Sequence, residues 1–143
     1  MTVIRVCLFS AVLLLAACGK TAQAPIEVRN AWSPLTPPGA TVAAVYAEVS
    51  ARQADTLLSA SSPVAETTQM HSTLEDNGMM QMRPVSQLAL HADETVRFEP
   101  GGLHLMLTGL RQALPADSQF ALTLHFAKAG DVTVTVQVRP AAN

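Results

Sequence analysis

Two segments near the end of the chain set the pattern. Phe120, Leu122, Leu124 and Phe126 alternate with Ala121, Thr123 and His125, and Val132, Val134, Val136 and Val138 alternate with Thr133, Thr135, Gln137 and Arg139. A period of two in residues that favour strands predicts two half-buried β-strands. Leu103, Leu105 and Leu107 alternate in the same way with His104, Met106 and Thr108, and Val42 to Val49 is an apolar run of strand length. Turn residues punctuate these segments at Pro37-Pro38-Gly39, Asn77-Gly78, Pro100-Gly101-Gly102 and Gly130-Asp131. No long stretch shows helical periodicity with caps. The expectation is an all-β domain, an antiparallel sandwich or barrel, beginning at Ile26.

The chain opens differently. Met1 to Arg5 carries positive charge, and Val6 to Ala17 is apolar apart from Ser10. That run falls short of the roughly 20 residues needed to span a bilayer and matches the core of a secretory signal. Leu15-Ala16-Ala17-Cys18-Gly19 resembles a bacterial lipobox, which implies removal of residues 1–17 and lipid on Cys18. Residues 18–25 then read as the lipidated cysteine and a tether, 26–140 as the domain, and 141–143 as a short tail. This places the protein on the periplasmic face of the envelope. Gly19 rather than Asp after the cysteine points to the outer membrane over the inner.

The composition, 49% hydrophobic and 14% charged, is that of a folding chain. About 115 residues can bury a core without staples. Without Arg5 the chain keeps eight Lys and Arg against eleven Asp and Glu, a net of −3, and no basic cluster suits it to nucleic acid. Cys7 leaves with the signal and Cys18 is taken by lipid, so the exported domain has no thiol. A disulfide scaffold, a thiol oxidoreductase, a cysteine nucleophile and a blue-copper centre, which needs a Cys ligand, are thereby excluded.

The unusual residues are methionine and histidine. Met70, Met79, Met80, Met82 and Met106 all fall within 37 residues, together with His71, His91 and His104. Methionine is ordinarily core filler. Yet if the three leucines of the Leu103–Leu107 strand face the core, His104 and Met106 share the other face, about 6.5 Å apart, within reach of one ion. Asn77-Gly78 signals a hairpin joining a strand through His71 to one through Met82. A two-residue loop places Thr73 opposite Met82 with His71 diagonal, and a four-residue loop places His71 opposite Met82. Either puts both on one face, whereas a three-residue loop separates them. Met80 shares the face as a candidate auxiliary ligand or a hydrophobic guard.

Two His and two Met form a selective donor set. Thioether sulfur is soft and carries no charge, so it favours Cu(I). It makes a poor zinc cage, and calcium and magnesium want oxygen. The spacing of His71, ten residues, Met82, twenty-one residues, His104, one residue, Met106 resembles the signature of the periplasmic PCu(A)C copper chaperones. Ala31-Trp32, Pro37-Pro38-Gly39-Ala40, Met80-Gln81-Met82-Arg83-Pro84-Val85 and the run Pro100 to Leu107 resemble blocks of that family too, so that the likeness extends from about Ile26 to Arg139. The resemblance implies a cupredoxin-like β-barrel holding one Cu(I) through His71, Met82, His104 and Met106. It also implies a carrier that hands copper to the CuA centre of a cytochrome oxidase subunit or to another copper-assembly protein. Some relatives add a His- and Met-rich C-terminal tail for Cu(II); this chain ends Arg139-Pro140-Ala141-Ala142-Asn143 without one.

The other candidates read more plainly. His125 is a solvated strand residue, His91 a turn residue before Ala92-Asp93-Glu94, and Met70, of opposite parity to His71, a core residue. Met79 beside Gly78 fits either role. Glu75 and Asp76 solubilise the hairpin tip. Trp32 and Tyr46 read as core, with Trp32 a candidate shelter for the site. No Ser/His/Asp set, paired carboxylates or phosphate loop stands out, and no enzyme is expected. The rival functions are a copper buffer without delivery and an envelope interaction module whose Met-rich face docks a protein.

Overall fold

The computed structural model describes residues 24–141. The signal, the lipobox with Cys18 and most of the tether therefore lie outside the described residues. Ten strands follow in order: β1 (Ile26–Pro34), β2 (Val42–Ala51), β3 (Asp55–Ser61), β4 (Thr67–Asp76), β5 (Met79–Val85), β6 (Leu88–Leu90), β7 (Glu94–Phe98), β8 (Leu103–Thr108), β9 (Gln119–Phe126) and β10 (Gly130–Arg139). No helix occurs among the described residues, and none is long and apolar enough to cross a membrane.

The strands hydrogen-bond in the order β5-β4-β8-β2-β1-β10-β9-β3-β6, and β7 pairs with β2 beside this path. Strand β2 pairs with β1 and, in addition, with two further strands in succession. Its first half, Val42 to Val45, pairs with β8, and its second half, Ala47 to Ala51, pairs with β7. The ladder changes partner at Tyr46, and the two layers close over one core. Val45, Leu57, Leu105, Leu107, Leu122, Leu124 and Val136 fill it, each excluded from solvent. The alternation in β9 is fully realised, with Phe120, Leu122, Leu124 and Phe126 buried. In β10 only Val136 and Val138 are buried, while Val132 and Val134 stand half-buried toward the rim of the core.

One pairing departs from an all-antiparallel sheet: β1 and β10 run parallel, with Trp32 beside Gln137. A parallel pair needs a long crossover, and here the crossover is the rest of the domain. Trp32 and Tyr46 also differ from a core assignment. Their rings pack 5.0 Å apart at 47°, half-buried, and the Arg139 guanidinium lies 4.3 Å over the indole.

The start of β3 is anchored by Asp55. Its carboxylate accepts hydrogen bonds from the backbone N–H groups of Thr56 (2.7 Å) and Lys128 (2.9 Å) on Oδ1, and from that of Ala129 (2.9 Å) on Oδ2. Burial pushes the Asp55 carboxyl up, but these three donors and the Lys128 ammonium outweigh it and hold the group below its ordinary value. A carboxyl lowered in the folded state stabilises the fold above its ordinary titration range, and that contribution disappears as pH falls through the folded value. Asp55→Asn turns an amide N–H₂ toward one of these donors and is expected to cost about 2 kcal/mol near neutral pH. Urea unfolding should show that gap constant from about pH 8 to 5 and closing below about pH 4; a gap that persists in acid would rule out the carboxylate as its source.

Candidate metal centre

The Asn77-Gly78 turn fixes the geometry of the site. Both residues adopt positive φ, 52° and 77°, as a type I′ turn requires, and Asp76 pairs with Met79 across it. The loop is therefore the two-residue one: Thr73 lies opposite Met82, and Glu75 opposite Met80. On the other side of β4, His71 lies directly opposite His104, and Gln69 opposite Met106. Residues directly opposite share a face, and so do residues two apart along a strand. His71, Met82, His104 and Met106 thus occupy one face of three adjacent strands, with Met80 continuing it toward the hairpin tip. The reverse face carries Met70, Leu105 and Leu107 into the core, Met70 being only 3% exposed.

The two imidazoles are stacked, centroids 5.9 Å apart at 25°. Although His104 points away from the core leucines, it is only 6% exposed. Its Nδ1 lies 3.1 Å from the Gly102 carbonyl. A carbonyl only accepts, so Nδ1 carries a proton, and in the neutral ring Nε2 is the nitrogen with the free lone pair. The same carbonyl accepts the Thr73 N–H at 3.0 Å, so one atom orients the His104 ring and ties the loop before β8 to β4. His71 Nδ1 is buried without a hydrogen-bond partner. Leaving such an atom bare costs about 1–3 kcal/mol, a cost that a bound cation removes. Met106 is half-buried, whereas Met82 is 52% exposed. The face is sheltered at the histidines and open at the hairpin.

These atoms suit a soft monovalent ion. Among the described residues no group of three His, Cys, Asp or Glu gathers to hold a metal, and the side chains that share the face with the histidine pair include the thioethers of Met82 and Met106. Trp32 lies two strands from His104, in β1, and lines a cleft of about 470 Å³ with Arg97, Glu99 and Arg139.

The fold is shared with solved structures. The copper-bound PCuAC domain of PmoF2 superposes with a TM-score of 0.69 at 24% identity, over 82% of this chain and 94% of that one. DR1885 from Deinococcus radiodurans, solved in solution in its Cu(I) form, also gives 0.69, at 27% identity over 90% of this chain and 88% of that one. A family model described as "Putative lipoprotein LpqE-like" matches residues 26–138. The chain belongs to the LpqE-like family, of the PCu(A)C copper-chaperone type. Within curated sequences this family member is 31% identical over 124 residues to "Putative lipoprotein Lxx21020" of Leifsonia xyli subsp. xyli, covering 85% of this chain and 73% of that protein. The fold is accordingly the cupredoxin-like one of PCu(A)C domains.

The remaining candidates separate clearly. Met79 is exposed on the opposite face of β5 from Met80 and Met82, and His91 is exposed in the turn before β7. His125 does more than stand in solvent. Its Nε2 lies 2.9 Å from Ser61 Oγ and its Nδ1 2.7 Å from Asp131 Oδ1. Sequence reasoning saw no Ser/His/Asp set because the three residues come from three strands. The period-two pattern of β9 and β10 with the Gly130 turn does place His125 opposite Asp131. Nothing in the pattern brings β3 alongside.

Proposed function

We propose that this protein is an extracytoplasmic Cu(I) metallochaperone, holding one ion through His71, Met82, His104 and Met106 while anchored by lipid on Cys18. One observation carries the reading: His71 and His104 face each other across β4 and β8 with one ring nitrogen oriented and one left bare, between two thioethers on the same face. The copper-bound state of PmoF2 and the Cu(I) state of DR1885 support the metal. The lipoprotein descriptions of the family and of the Leifsonia relative support the anchor.

Four neutral donors leave the ion its single positive charge, which favours reversible holding over burial. Copper is the cargo here. Release proceeds by exchange, each donor giving way to an anionic thiolate of the acceptor, which binds Cu(I) more strongly than a thioether does. Met82 is the most exposed of the four ligands. The acceptor in this reading is the CuA centre of a cytochrome oxidase, as the resemblance of the sequence to the PCu(A)C chaperones implies.

The test is a competition titration against a chromogenic Cu(I) chelator, reducing and anaerobic, on the chain from Gly19 onward. One equivalent should be withdrawn from the chelator and then pass to an apo CuA domain on mixing. Retention of the ion in the presence of that domain would favour a copper buffer. Failure to compete at all would leave the methionine face as a protein contact.

A further inference from the structure

We propose that Met80 and Met82 form a second, outer Cu(I) station on the β4–β5 hairpin, through which the ion enters and leaves the inner site. The inference rests on the four-ligand reading above. Met80 is 62% exposed, and so is Met79, on an edge strand with no further neighbour. An unbranched apolar side chain gains no packing there. Two residues apart on β5, Met80 and Met82 project from the same face at about 6.5–7 Å spacing, which flexible thioethers can close around one ion. Strand β8 pairs with β4 only over Thr67 to Ser72, so from Leu74 to Met80 the hairpin projects beyond the sheet as a two-stranded ribbon. Glu75 lies directly opposite Met80 and sets a carboxylate beside the pair, attractive to a cation and absent from the inner site.

Met82 belongs to both stations and acts as the pivot. In the outward step the Cu–S bond to Met82 persists, the bonds to His71, His104 and Met106 break, and a Cu–S bond to Met80 forms. The imidazole nitrogens keep their lone pairs, copper stays Cu(I), and no proton or electron moves. The ion is never free, and at the tip it meets an acceptor thiolate without the acceptor having to reach the sheltered histidines. A shield without a metal role would need only apolar bulk at position 80, and leucine supplies that bulk without sulfur.

Met80→Leu, Met82→Leu and the unaltered chain, labelled with methyl-¹³C methionine, test this. Silver(I), a redox-inert stand-in for Cu(I), is added beyond one equivalent while methyl resonances are followed, and Cu(I) transfer to the chelator is timed by stopped flow. The expected results are a shift of the Met80 methyl with the second equivalent, the Met82 sulfur bridging the two ions through its two lone pairs, a shift lost in Met82→Leu, and transfer about tenfold slower in Met80→Leu at an equilibrium affinity within about twofold of the unaltered chain. An unmoved Met80 methyl, or an unchanged transfer rate in Met80→Leu, overturns the outer station while leaving the inner site standing. Failure of the unaltered chain to bind Cu(I) at all strikes the four-ligand reading instead.

Discussion

His104→Ala combined with Met106→Leu is expected to weaken Cu(I) binding about a thousandfold, near 4 kcal/mol, while the domain stays folded. The reason is the division of labour along β8. Leu105 and Leu107 face the core and hold the strand, whereas His104 and Met106 face the other way. Leucine at 106 keeps the volume and loses only the sulfur, a swap that ordinarily costs under about 1.5 kcal/mol. Alanine at 104 removes the imidazole that the Gly102 carbonyl orients. Two donors remain, His71 and Met82, too few to shield the ion from the chelator. Affinity from the competition titration, with unfolding followed in parallel, gives the answer. Competition equal to that of the unaltered chain would remove His104 and Met106 from the site.

Leu107→Ala should do the reverse. Its side chain is fully excluded from solvent in the middle of the core, and truncation there leaves a cavity that a sandwich of paired strands cannot collapse around. The expected loss is about 3–4 kcal/mol, a large part of the roughly 5–15 kcal/mol that a domain of this kind possesses. Urea unfolding should show a lower midpoint at unchanged slope. Saturating Cu(I) should restore part of the stability by mass action, because the ligands on the opposite face keep their positions while the strand remains paired. A midpoint equal to that of the unaltered chain would mean that Leu107 is not a core residue.

The strands whose two faces meet different surroundings were legible before the fold was known. In β8, β9 and β10 one face meets the core and the other does not, and the residues alternate accordingly. The Asn77-Gly78 pair went further, because its positive φ values allow only a short loop, and the loop sets which side chains stand opposite one another. What stayed hidden depends on contacts between distant segments. β3, β6 and β7 are short or lie where both faces are partly covered, so no alternation survives in Asp55 to Ser61 or Leu88 to Leu90. The burial of His104 could not be read from its parity, since the His71 ring stacked on it comes from another strand. The Asp55 anchor likewise joins a carboxylate to backbone N–H groups some seventy residues away, and no local pattern encodes that.

The parallel pairing of β1 with β10 has a consequence for how the protein comes into being. In the sheet β10 lies between β1 and β9, so the first strand to emerge during synthesis must wait for the last before it gains its inner neighbour. Until Val132 to Val138 are available, β1 and β9 each present a bare ladder edge, and Leu122 and Leu124 lack the valines that pair beside them in the sheet. Contacts between such distant segments form slowly, so the sheet closes only after its last strand has been made. Insertion of β10 between β1 and β9 is therefore the step that completes the sheet.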